Sequence, residues 1–184
     1  MGTLNYIKNF FRDKNVASVT PSSKFTVNQV IRRVVTDRPV TVIEYGPGDG
    51  VITKPLLKAI HKESTLIVIE TNEDFINQLN QIDDPRLKVY RDTAEKVDEI
   101  ATNEHIPKAD HIISGIPFSF LEPDVREELL TKTLDLLGED GTFIAYQTSK
   151  HLKPFLEKTF SDVKLETEYR NIPPMCIYEA FGSK

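Results

Sequence analysis

The chain has 184 residues, 39% of them apolar and 28% charged, enough to bury roughly 70% of its unfolded surface, and no apolar run nears the ~18 residues that cross a membrane. Its single cysteine, Cys176, excludes an internal disulfide, and no charged-then-apolar leader opens the sequence, so a reducing cytosolic compartment is expected. The net charge of −5 is uneven: residues 1–38 hold seven Lys/Arg against Asp13 and Asp37, or +5, which leaves −10 on the remainder and argues against extended phosphate-backbone tracking.

One domain is expected over 1–184, with a basic helical arm at 1–38 and an α/β core at 39–184. TLNYIKNFFRD predicts a short helix with Leu4, Ile7, Phe10 and Phe11 on one face and Lys8, Arg12 and Lys14 at its margins. A second helix is predicted after TPSS, capped by Ser22 or Ser23 and running to about residue 35. Such an arm either packs over the open end of a sheet or lies on an anionic membrane surface.

From residue 40, β-rich runs alternate with helical patterns, the pattern of a parallel sheet covered on both faces. Strands are expected near 40–45, 65–70, 87–91, 109–114 and 141–147, with helices near 51–62, 72–81, 93–103, 122–137 and 149–159. The alternating runs 163–170 and 176–182 are joined by NIPPM, too short for a parallel crossover, so they should pair antiparallel. The expected fold is therefore a Rossmann-like α/β sheet of seven strands, mostly parallel, with one antiparallel strand near its end, the shape of the class I methyltransferases.

The first strand runs into EYGPGDG, whose Gly46, Gly48 and Gly50 permit a sharp turn and a close backbone approach to a ligand at the sheet's carboxyl edge. A dinucleotide site would read G-x-G-x-x-G; here an acid, Glu44, stands two residues before the first glycine. A carboxylate there repels a pyrophosphate and suits the sulfonium and amino group of S-adenosyl-L-methionine. Glu70, ending the second strand, is placed to accept from both ribose hydroxyls, and Asp92, beside Thr93 after the third, from an adenine amino group.

The fourth strand ends in ISGIPFSF. Pro117 fixes the chain there, backbone carbonyls of Ser114 and Gly115 with the Ser114 hydroxyl can accept from an amine, and Phe118 offers a ring face to a methylated, cationic nitrogen. Tyr146, ending the fifth strand, can line the same pocket. In RNIPP, Arg170 and Asn171 are expected at the substrate mouth, with Arg170 able to pair with a phosphate. His111 and His151 are possible proton acceptors, and the four histidines show no metal-ligand spacing.

TPSS (20–23), EYGPGDGVIT (44–53), SGIPF (114–118), YQTS (146–149) and RNIPPMCIYEA (170–180) together resemble the bacterial S-adenosylmethionine-dependent phospholipid N-methyltransferases, relatives of the rRNA adenine dimethyltransferases. The resemblance covers nearly the whole chain. It implies methylation of a headgroup amine such as that of phosphatidylethanolamine, by a cytoplasmic protein peripheral at the inner membrane face, with residues 3–14 docking on anionic lipid. The rRNA enzymes carry Asn where this chain has Ser114 and Tyr where it has Phe118, and add a helical RNA-binding domain. An amino group of rRNA adenine or of a small soluble metabolite remains the alternative acceptor.

Overall fold

The computed structural model describes residues 23–34 and 36–183, so the helix expected at 3–14 lies outside the described residues. The first described helix, α1 (Lys24–Ile31), begins where Ser23 accepts a hydrogen bond from the Thr26 N–H and buries Thr26, Val27, Gln29 and Val30. It closes in a turn rather than running on to residue 35, with the Val34 N–H donating to the Ile31 carbonyl.

The remaining elements alternate: β1 (Thr41–Tyr45), α2 (Thr53–Ala59), β2 (Thr65–Glu70), α3 (Glu73–Leu79), β3 (Leu87–Arg91), α4 (Val97–Asn103), β4 (Ala109–Ser114), α5 (Pro123–Leu136), β5 (Leu137–Gln147), α6 (Lys153–Thr159), β6 (Phe160–Glu168) and β7 (Met175–Ser183). Single 3-10 turns at Ala94–Lys96, Phe118–Phe120 and Lys150–Leu152 precede α4, α5 and α6. Strand order is β3-β2-β1-β4-β5-β7-β6. Only β7 runs against the others, pairing antiparallel with β5 and β6, as the short link had required.

Period-two alternation divides the core between the sheet's two faces. Ile43, Tyr45, Ile112, Phe143 and Tyr178 pack with α4, α5 and α6 residues on one face, while Val42, Leu66, Ile113, Ile144 and Ile177 pack with α1 and α2 residues on the other. Strands β1 and β4 are neighbours although β2 and β3 intervene in sequence. The chain direction of the crossovers therefore reverses between them, opening a crevice beyond their carboxyl ends. Residues 137–140 extend β5 upstream of its expected start, and Gly141 lies too close to the backbone of Gly138 to carry a side chain: a Cβ on Gly141 would lie 2.8 Å from the Gly138 nitrogen.

Among the described residues no helix is long and apolar enough to cross a membrane.

Candidate active site

The crevice floor is the loop after β1. Gly46, Gly48 and Gly50 all have positive φ, at 63°, 58° and 83°, which other residues adopt only with strain. The Gly46 N–H donates to the Ile69 carbonyl at 2.9 Å and ties the loop to β2, while the Gly50 N–H turns back to Pro47 at 3.1 Å. A Cβ on Gly46 would lie 3.1 Å from Ile116 Cγ1, so this loop touches the segment after β4.

Glu44 is fully buried beneath that loop. Its Oε2 accepts from the Thr53 hydroxyl at 2.7 Å, and its Oε1 has no hydrogen-bond partner. Burial pushes its carboxyl up to about 7, against the pull of the Thr53 hydrogen bond, with repulsion from Glu70 adding a little. Thr53 was not singled out from the sequence; its signal was a polar side chain in an apolar helix turn three residues beyond Gly50. An unpartnered oxygen in so dry a place is costly unless a donor comes to it.

Glu70, 2% exposed, stitches the site together: Oε2 accepts from the Gly48 N–H at 3.1 Å, Oε1 from the Thr71 and Asn72 N–H groups at 2.8 Å each. Burial raises its carboxyl, and those backbone donors oppose the rise. Oε2, with one donor, keeps a second lone pair, so the anchoring leaves acceptor capacity there. Asp92 accepts from the Thr93 N–H at 2.8 Å and stands 3.6 Å from the Lys96 ammonium. Gly46, Glu70, Asp92 and Thr93 line one cleft of about 400 Å³, partly open to solvent, whose apolar wall is Ile69, Ala94, Ile116, Leu121 and Leu129. That wall was not foreseen, because its residues read as ordinary strand and helix core.

At the end of β4, Ser114 is wholly buried and its Oγ accepts from the Ile116 N–H at 3.2 Å, so the side chain holds the turn. The Gly115 N–H donates to the Tyr45 carbonyl at 3.0 Å. Tyr146 packs its hydroxyl against Gly115, and no described residue hydrogen-bonds that hydroxyl; a Cβ on Gly115 would lie 2.5 Å from it. Burial, then Glu44, raises the phenol well above its usual range and keeps it protonated. His111, by contrast, sits three residues back along β4 and is 3% exposed, with burial depressing it to about 4.

Phe118 departs from expectation. Its ring is 1% exposed and turned into the core, edge-on to Phe143 at 6.1 Å and 74°, on the sheet face opposite Tyr146. The reason is physical: a ring without a polar atom gains more from that packing than from the cleft, and its N–H is held by Gln147 Oε1 at 3.2 Å. The ring face expected for a cationic nitrogen is thus not turned to the cleft. Pro117 precedes the 3-10 turn that carries Phe118 inward.

Asn171 is likewise corrected from substrate contact to strap. It is 1% exposed, its Oδ1 accepts from the Ser23 N–H at 2.9 Å and the Thr26 hydroxyl at 3.0 Å, and its Nδ2 donates to the Pro173 carbonyl at 2.7 Å. Arg170 is forked onto Glu168 at 2.7 and 2.6 Å, yet its side chain is 60% exposed and its guanidinium lies 4.3 Å from the Phe25 ring centre. That pairing drops Glu168 to about 2. Asn171→Ala leaves two donors and an acceptor unmet, so a loss of about 2–3 kcal/mol is expected, a fall in Tm of roughly 4–12 °C, with thermal denaturation as the measurement. A variant that melts with the parent would remove the strap role.

Comparison with known proteins adds to this geometry. Residues 6–121 match the family described as ribosomal RNA adenine dimethylase. The chain is 26% identical over 183 residues to an ornithine lipid N-methyltransferase of Singulisphaera acidiphila, covering 97% of this chain and 95% of that protein. It is 29% identical over 136 residues to a ribosomal RNA small subunit methyltransferase A of Mycoplasma mycoides, covering 71% of this chain but 43% of the relative. Among solved structures, magnesium protoporphyrin IX methyltransferase from Synechocystis PCC 6803 with bound SAM superposes with a TM-score of 0.71 at 12% identity, over 98% of this chain and 97% of that one. A Burkholderia thailandensis 1,6-didemethyltoxoflavin-N1-methyltransferase gives 0.72 at 13%, over 99% and 87%. Identities this low speak for the fold alone, and that fold is the class I methyltransferase fold.

Proposed function

The chain belongs to the ribosomal RNA adenine dimethylase family and is an S-adenosylmethionine-dependent methyltransferase, and we propose that its acceptor is the amine of a membrane lipid headgroup. The residues fit the cofactor on an observation of their own: the buried Glu44 Oε1 lacks a donor, and the cofactor's amino group is one. Around it, the backbone of Gly46, Gly48 and Gly50 would take the methionine portion, Glu70 the ribose, and Asp92 with Thr93 the adenine. Bound there, the cofactor supplies an electrophilic methyl group on a sulfonium.

The chain's own task is to position and dry a neutral amine. Carbonyls at Ser114 and Gly115 can accept from the amine N–H, and the protonated Tyr146 hydroxyl, lacking a described partner, supplies one further polar contact beside Gly115. Tyr146 stays protonated at neutral pH and so orients rather than deprotonates. The proton lost when the new C–N bond forms leaves to solvent.

The observation that carries the choice of acceptor is the lack of a flat-base reader among the described residues of ISGIPFSF. Ser114 spends its oxygen on the Ile116 N–H, and Phe118 is in the core. An adenine needs a planar amide and a stacking face; an alkylamine needs neither. The end-to-end match to an ornithine lipid N-methyltransferase supports the same reading. The basic sequence segment 3–14 would then dock the chain on an anionic membrane surface.

The test is to incubate the full chain with labelled methyl donor, aminolipid vesicles and ribosomal RNA together, then separate the fractions. Label in the lipid is expected. Label in RNA, which the family match keeps as the second reading, or in a soluble amine would overturn the lipid assignment.

A further inference from the structure

Strand β6 runs parallel to β5, since both are antiparallel to β7, and Gln147 and Thr167 flank the same residue, Cys176. The loop 169–174 therefore leaves the sheet at the same edge as the carboxyl ends of β1 and β4, with β5 between β4 and the β7–β6 pair that the loop joins. Three large apolar side chains are exposed among the described residues: Tyr169 at 75%, Ile172 at 80% and Phe120 at 46%. Two are on this loop within four residues of each other, and the third follows β4 at the same edge of the sheet. Scattered singly, such residues would need no explanation.

Three features set the loop apart. Pro173 and Pro174 are exposed beside Ile172, while Asn171 is buried and pins the backbone to α1, so the apolar side chains are held outward on a stiff support. Two cations with no ion pair among the described residues stand near this edge: Lys24 lies 5.3 Å from the Phe25 ring centre, against which the Glu168-paired Arg170 also packs at 4.3 Å, and Lys150 is exposed just beyond β5. The loop contains no carboxylate, and the adjoining Glu168 is buried and occupied by Arg170. Tyrosine with isoleucine on a basic rim matches the boundary between headgroups and acyl chains. An RNA-binding rim would favour the cations but gain nothing from an outward Ile172.

We infer that the loop 169–174 is a membrane-docking element that seats the cleft-bearing edge of the sheet against the headgroup layer of a bilayer containing anionic lipid. The choice of a bilayer as occupant rests on the lipid-amine reading above. The loop turns the cleft-bearing edge of the sheet to the lipid amine without extracting the lipid into water.

The chain has no tryptophan, so Ile172→Trp places a single reporter on the loop itself. With phosphatidylcholine vesicles containing phosphatidylglycerol, its emission is expected to shift to the blue and to be quenched by brominated acyl chains, more than with phosphatidylcholine alone. Tyr169→Ser combined with Ile172→Ser should cut vesicle partitioning by about tenfold or more. The same double variant should keep the parent circular dichroism and its rate on a detergent-dispersed aminolipid. A reporter that stays in water while vesicle aminolipid is methylated overturns this inference and leaves the lipid reading standing. Insertion with label going only to RNA does the reverse. Emission that responds to RNA and not to vesicles overturns both.

Discussion

Gly115→Ala is expected to lower methyl transfer by about 100-fold or more while leaving a folded protein. The added methyl would lie 2.5 Å from the Tyr146 hydroxyl, 3.0 Å from its Cζ and 3.0 Å from the Gly46 carbonyl oxygen. Tyr146 cannot easily yield, being 7% exposed and packed in the core beneath the glycine loop. The clash therefore spreads to Gly46, whose positive φ and lack of room for even a Cβ beside Ile116 leave little slack. Overpacking of this kind costs about 1–3 kcal/mol of stability, a few degrees in Tm, whereas displacement of reacting groups by about 1 Å costs on the order of 100-fold in rate. Gly138→Ala is the control, since its Cβ would meet nothing nearer than 3.6 Å. Initial rates with circular dichroism for both variants check the prediction, and parental turnover in Gly115→Ala would show that the contact between β4's end and Tyr146 does not shape the site.

The sequence disclosed the parts of this site that are written in backbone. Gly46, Gly48 and Gly50 were legible because only glycine takes positive φ cheaply, and β1, β2 and β4 because short apolar runs bounded by polar residues have few other uses. Side-chain direction was a different matter. Phe118 and Asn171 sit in motifs that point to a substrate, yet each is committed elsewhere by a partner distant in sequence: Phe143 for the ring, and Ser23, 148 residues away, for the amide. A motif fixes which residue stands at a strand end; it does not fix which of two faces that residue turns to. The unpartnered oxygen of Glu44 was illegible for the same reason, since it depends on Thr53 taking the other one.

That oxygen leads to the second large effect, a pH dependence of cofactor affinity that Glu44→Gln should erase. With its carboxyl raised to about 7, Glu44 is increasingly neutral below neutrality and ionised above it. A cationic amino group prefers the ionised form, so affinity should rise with pH and level off above about 7, and weaken about tenfold per pH unit below it. The ligand-free chain should respond with the opposite sign. A carboxyl whose folded value exceeds its unfolded value of 4.5 contributes stability that is complete below 4.5 and lost as pH rises through about 7. Relative to Glu44→Gln, the parent should therefore lose about 3 kcal/mol between pH 4.5 and 8. Calorimetric titration of the cofactor and denaturant melts, each across that range, measure the two arms. A parent whose cofactor affinity does not change with pH would show that Glu44 faces no cation. If instead both arms hold, the carboxylate whose ionisation weakens the empty fold is also one that strengthens its grip on the methyl donor, and the cost is offset on binding.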